Sequence, residues 1–186
     1  VMIGSEAGYY MPISNYNVFV GAQAGRNRDS VGGQVAIGYQ ALMGDGVTPS
    51  NNSGQFNVAV GHMAGTAVTS GSSNALIGAQ AGLGLTTGSS NFFGGNGAGA
   101  STTTGGSNTF LGASTGVSNI SGANNIYIGA SAAGSATASN NTVIGKSAGT
   151  ALSTGGGNTF VGASAGLTYT TGDRNTSIGY QTTGAA

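Results

Sequence analysis

The sequence predicts an all-β fold, a parallel β-solenoid (β-roll) of about eleven 17-residue rungs, on three observations. First, a glycine that almost always follows a branched aliphatic residue recurs at Gly4, Gly21, Gly38, Gly61, Gly78, Gly95, Gly112, Gly129, Gly145, Gly162 and Gly179, at steps of 17, 17, 23, 17, 17, 17, 17, 16, 17 and 17. Second, Asn stands four residues before this anchor at Asn17, Asn57, Asn74, Asn91, Asn108, Asn125, Asn141, Asn158 and Asn175, with Gln34 in the remaining place. Third, the residues between Asn and Gly form a short apolar run bounded by turn formers, as in a strand. A fixed short period means that each unit is one turn of a solenoid, burying a core only by stacking on its neighbours.

The repeat covers residues 1–186 and defines a single solenoid domain. The chain begins and ends inside a repeat, without an initiator Met, and is expected to be an excerpt of a longer fibre. Its 38 glycines lack the every-third-residue period of collagen. Four acids balance four basic residues. A neutral surface has no counterions to release from phosphates, so no nucleic-acid partner is expected. No apolar run is long enough to span a bilayer, and no membrane insertion is expected. Low charge with many Ser, Thr, Asn and Gly would suit disorder, but apolar residues recurring at fixed places predict order.

Within each rung, a segment such as Asn158-Thr159-Phe160-Val161-Gly162 reads as a strand whose alternate side chains face opposite ways. The position just before the anchor is the most regular apolar one: Val20, Ile37, Val60, Ile77, Leu111, Ile128, Ile144, Val161 and Ile178, interrupted only by Gly94. Its uniformity predicts the inward core seam, each aliphatic side chain contributing about 1.5–3 kcal/mol when buried. The residue before it would then face outward, and it too is apolar: Phe19, Leu76, Phe93, Phe110, Tyr127, Val143 and Phe160 form the candidate interchain face. A strand apolar on both faces needs two cores, and a 17-residue turn is too thin to enclose both. An exposed stripe of this kind exceeds what a soluble monomer tolerates, so a homo-oligomer is predicted.

After the anchor come small pairs such as Ala81-Gly82 and Ala165-Gly166, which permit sharp bends and close approach. A polar Thr-Thr-Gly tail, as at Thr170-Thr171-Gly172, ends the rung in a solvent-facing turn. The nine asparagines named above predict a structural ladder, since Asn tolerates the left-handed region and bonds to turn backbone. Two rungs deviate. Six extra residues around 44–53 read as a loop bulging from a corner, and a residue is missing near Ala132-Ala133-Gly134. Arg28 and Asp45, each seven residues past an anchor on adjacent rungs, predict a surface ion pair.

Chemistry-bearing constellations are sparse. The single His, His62, has no Cys or carboxylate column beside it, and no acid recurs from rung to rung. No metal, cofactor or catalytic residue is expected, and the chain is expected not to be an enzyme. Among the acids, only Asp29 and Asp45 fall close enough to act together, and Arg28 competes for both.

The pattern Asn-Thr-x-Ile/Val-Gly-x-x-Ala-Gly with its Thr-Thr-Gly tail resembles the head repeats of trimeric autotransporter adhesins and similar repeats of bacteriophage tail fibres, over nearly the whole chain. The resemblance implies a left-handed parallel β-roll in a side-by-side homotrimer. It further implies an extracellular location, on a cell surface or virion tail, and adhesion to a host-surface receptor or glycan.

The expected function is therefore a non-enzymatic structural or adhesive fibre segment. One alternative is an extracellular filament stacked end to end. Another is an ice-binding surface built on Thr109, Thr142, Thr159 and Thr176, and a third is glycan binding through tyrosines such as Tyr39 and Tyr180.

Overall fold

The computed structural model describes residues 1–11, 16–28, 32–45 and 52–183. The chain is a parallel β-solenoid of about ten turns, and the described residues contain no helix. Eleven strands follow in order: β1 (Met2–Ile3), β2 (Val18–Val20), β3 (Val35–Ile37), β4 (Val58–Val60), β5 (Ala75–Ile77), β6 (Phe92–Gly94), β7 (Thr109–Leu111), β8 (Ile126–Ile128), β9 (Thr142–Ile144), β10 (Thr159–Val161) and β11 (Thr176–Ile178). They form one sheet in sequence order, each paired in parallel with the next. Equivalent residues face one another throughout: Phe93 pairs with Phe110 and Phe110 with Tyr127. At about 4.8 Å per strand, the stack is about 50 Å long.

Each strand ends where its anchor glycine turns the backbone. Gly112 has φ 137°, and a Cβ there would lie 2.6 Å from the carbonyl carbon of Gly129 on the next rung. The anchors thus touch backbone to backbone up the solenoid, which no side chain would allow. Beyond the strands the rungs stay in register through further bonds between successive turns, including Gly82 N–H to Ala98 O at 2.9 Å and Gly99 N–H to Thr115 O at 2.9 Å.

The core corrects the expected facing of the strand. The central strand residues Phe19, Leu76, Phe93, Phe110, Tyr127, Val143 and Phe160, expected at an interchain face, have 0% exposure and fill the solenoid's own interior. The expected seam of Val20, Ile37, Val60, Ile77, Leu111, Ile128, Ile144, Val161 and Ile178 lies on the outer face, half-buried or exposed. A one-residue change of phase exchanges the two faces of any strand. The physical reason for the phase is the thinness of the tube. The inner ring reaches across to the glycine of the Ala-Gly pair, and a Cβ on Gly99 would lie 2.6 Å from the Phe93 ring. At Phe93 a flat ring against a bare backbone fills that gap.

A second interior column stands seven residues past the anchors, where Val68, Leu85, Ala136 and Leu152 are fully buried. Arg28 occupies this column, so it is buried rather than a member of a surface ion pair. Its Nη1 donates to Val68 O at 2.6 Å and its Nη2 to Gly54 O at 2.9 Å. Asp45 instead accepts from Asn52 Nδ2 at 3.2 Å. Most of the inserted loop, 46–51, and Asp29 lie outside the described residues.

Candidate functional site

The outer face of the sheet is the most distinctive surface of the molecule. Two columns flank the buried central residue of each strand from β2 to β11. The first runs Val18, Val35, Val58, Ala75, Phe92, Thr109, Ile126, Thr142, Thr159 and Thr176; the second is the aliphatic series that ends at Ile178. Neither column contains a charged residue or a histidine. Several members are well exposed for their type, among them Ile77 at 45%, Phe92 at 42% and Ile126 at 43%. The strand alternation that buries the aromatic column displays these two, and parallel in-register pairing makes each a straight file with a spacing of about 4.8 Å.

Eight of the nine asparagines line a buried corner instead, and Asn175 on the last rung is half-buried. From Asn74 to Asn175, each backbone N–H donates to the carboxamide oxygen of the preceding rung, at 2.8–3.0 Å. The carboxamide nitrogens from Asn57 to Asn158 donate to a turn carbonyl of the following rung, as from Asn108 Nδ2 to Gly122 O at 2.9 Å. Side chain also meets side chain, as from Asn91 Nδ2 to Asn74 Oδ1 at 3.0 Å. Asn17 receives the Gln34 N–H on its Oδ1 at 2.8 Å. These amides are occupied by the backbone, and they hold the fold rather than a ligand.

Other polar groups are dispersed. Arg26 pairs with Glu6 at 3.2 Å, and Gln23 and Gln40 continue a surface amide file from Glu6 at 2.9 and 2.8 Å. His62 stacks on Tyr39, ring centroids 5.5 Å apart. A shallow polar depression is lined by Asn140, Asp173 and Arg174, with Asp173 Oδ1 accepting from Gly156 N–H at 2.7 Å. Among the described residues, no group of three or more His, Cys, Asp or Glu converges on a point that would hold a metal ion. No helix among them is long and apolar enough to cross a membrane.

Two buried groups carry shifted titrations. Burial lowers the Arg28 pKa to about 10. Burial pushes the Tyr127 phenol well above its ordinary value, with the Asn141 side chain acting in the opposite direction; the hydroxyl has no partner in hydrogen-bonding geometry. Sequence reasoning missed Arg28 as an interior residue. The signal was available, since its column is aliphatic at Val68, Leu85 and Leu152.

Comparison with protein-family models, with curated proteins and with solved structures finds no match to this chain.

Proposed function

We propose that the chain is a non-enzymatic structural segment of a fibre, exposed outside the cell on a cell surface or a virion tail, and that it assembles side by side into a homotrimer through the outer face of β1–β11. The observation that carries this reading is the pair of uncharged outward columns. A strip of three-residue strands about 50 Å long and 10 Å wide offers about 500 Å². That is at the scale of the largest apolar patches on ordinary monomers, which are often functional. The aliphatic residues gain from burial against another apolar surface, and no charge on the face opposes it. The repeat's resemblance to trimeric adhesin heads and tail-fibre repeats makes three the expected number of chains and adhesion to a host receptor or glycan the expected role.

Light scattering on a sizing column, with electron microscopy of the same fractions, tests the proposal. The expected result is a discrete trimeric rod, converted to monomers by Ile128→Lys. A stable wild-type monomer would overturn it, and long filaments would favour end-to-end stacking.

Ice binding is the second reading, favoured by the last three rungs. There Thr142, Thr159 and Thr176 stand beside Ile144, Val161 and Ile178 on the outward face. Phe92 and Ile126 break the threonine file further along. Thermal hysteresis and ice shaping by the wild-type chain would support this reading, and their absence would dismiss it.

A further inference from the structure

The outer face has one conspicuous irregularity, confined to one rung. On β6 the first column carries Phe92, the only aromatic side chain on this face, and the second carries Gly94, the only position there without a side chain. The largest and smallest residues of the face therefore share one rung. The same trend is milder elsewhere: Ala75 stands beside Ile77 and Thr109 beside Leu111. Phe92 is 42% exposed, and the one contact that opposes a side chain at Gly94 is the flexible end of Leu111 on the next rung, whose Cδ2 would lie 2.9 Å from a Cβ there. Gly94 has no positive φ that would demand glycine.

The geometry points to a second copy of this chain as the occupant of the face, docked parallel and in register, with Phe92 of each copy seated over Gly94 of its neighbour. This inference rests on the side-by-side assembly proposed above and specifies its direction and register. Consider two copies related by rotation about an axis parallel to the solenoid. Equivalent rungs then stay at the same height, and the first column of one copy faces the second column of the other. Phe92 meets Gly94 and Ala75 meets Ile77, so the largest residue of the face lies over the smallest, while Ile126 with Ile128 makes the bulkiest rung. Rotation about a perpendicular axis through β6 would bring like columns together instead. Phe92 would then collide with Phe92 while Gly94 faced Gly94 across a void, and both faults cost stability. Two such faces together cover about 1,000 Å², close to the lower bound for a specific interface. A rotation axis parallel to the rod gives a closed assembly; two chains cover each other's whole face, whereas three meet first column to second column around the axis.

A side chain at Gly94 needs only the flexible end of Leu111 to shift, so the interface can be tested at a position that leaves the rung's backbone alone. Gly94→Val restores an unbroken aliphatic column and is expected to leave the far-ultraviolet circular dichroism unchanged while weakening self-association at least tenfold. Phe92→Val leaves Gly94 unfilled and is expected to weaken it less. The double variant, Phe92→Val with Gly94→Val, reproduces the Val18/Val20 and Val58/Val60 rungs and is expected to recover most of the wild-type association.

Direction is read by cross-linking, which is clean in a chain without cysteine. A Thr142→Cys chain mixed with an Ile144→Cys chain is expected to form a disulfide. A disulfide between Thr142→Cys and Val35→Cys chains would show antiparallel docking and overturn the inference. A wild-type monomer would remove the assembly itself. A wild-type oligomer that Gly94→Val leaves intact would remove only the role of Phe92 and Gly94.

Discussion

Phe110 and Tyr127 stack on adjacent rungs with ring centroids 4.7 Å apart and planes 4° from parallel, and Phe93 extends the stack at 4.8 Å and 6°. These spacings match the rise of a parallel sheet, so a flat ring fills one rung and no more. The tyrosine adds a cost: its buried hydroxyl lacks a hydrogen-bond partner. Tyr127→Phe keeps the stack and removes the orphan, and is expected to stabilise the fold by about 1 kcal/mol. A thermal melt of the two proteins checks this, and a lower midpoint for the variant would contradict it.

The same residue gives an alkaline signature. Its folded pKa is raised above the ordinary 10.0 by burial. Between those two values the unfolded chain has released the proton and the folded chain has not, so unfolding releases a proton and stability falls as pH rises. The contribution is intact below pH 10 and declines above it. Tyr127→Phe is expected to remove that component from a plot of stability against pH between 9 and 12, and an unchanged slope would count against a buried, protonated phenol.

The asparagine corner is stabilised cooperatively from rung to rung. Asn108 Nδ2 donates to Gly122 O at 2.9 Å and to Asn91 Oδ1 at 3.2 Å, and Asn108 Oδ1 accepts the Asn125 N–H at 2.9 Å. Asn108→Ala leaves buried partners unsatisfied, at about 1–3 kcal/mol each. The expected loss is about 3 kcal/mol, read from denaturant unfolding. Asn108→Asp should cost at least as much, because it keeps the acceptor but removes both donors and places a carboxylate in a buried corner. A variant within a few tenths of wild type would show that water replaces the ladder.

The period, strand positions, corner asparagines and parallel register were all legible, because each is fixed by what one rung must share with the next. The inward direction was not. Uniform Ile and Val before the anchor looked like a core, whereas the true interior varies from Phe19 to Ala36 to Val143. One rung compensates across the tube: Phe19 is followed six residues later by Gly25 and Phe93 by Gly99, but Ala36 by Leu42, whose end also reaches toward the next rung, where Ala59 is followed by Gly65. Such reciprocal size changes mark two positions that share one interior. Arg28 is hard to place for a related reason: its charge suggests the surface, while the aliphatic column in which it stands is interior.

That compensation is testable. Leu42 is fully buried, and its Cδ2 lies 3.1 Å from where a Cβ on Gly65 would stand, beside a rung whose inner residue is Ala59. Leu42→Gly is expected to cost about 2–5 kcal/mol by opening a cavity, and Ala36→Phe about 1–3 kcal/mol by overpacking. The two together recreate the Phe19/Gly25 arrangement, so the double variant should be more stable than the sum of the two losses allows, by at least about 1 kcal/mol. Strict additivity would mean that the two side chains do not share a space.

The corners carry strain that substitution can relieve. Ser107, just before the asparagine of its rung, has φ 57° with its side chain exposed, and Gly33 and Gly157 hold the same place in other rungs at φ 72° and 70°. A non-glycine residue in the left-handed region costs about 1–2 kcal/mol, against about 0.5–1 kcal/mol for glycine's extra freedom in the unfolded chain. The backbone bond from Ser107 N–H to Ser89 O, at 2.9 Å, survives the change. Ser107→Gly is therefore expected to stabilise by about 0.5 kcal/mol and Ser107→Val to destabilise by more than 1 kcal/mol, because β-branching is least tolerated at positive φ. Thermal midpoints in the order glycine, serine, valine check the argument, and valine matching serine would show that the corner relaxes out of the left-handed region.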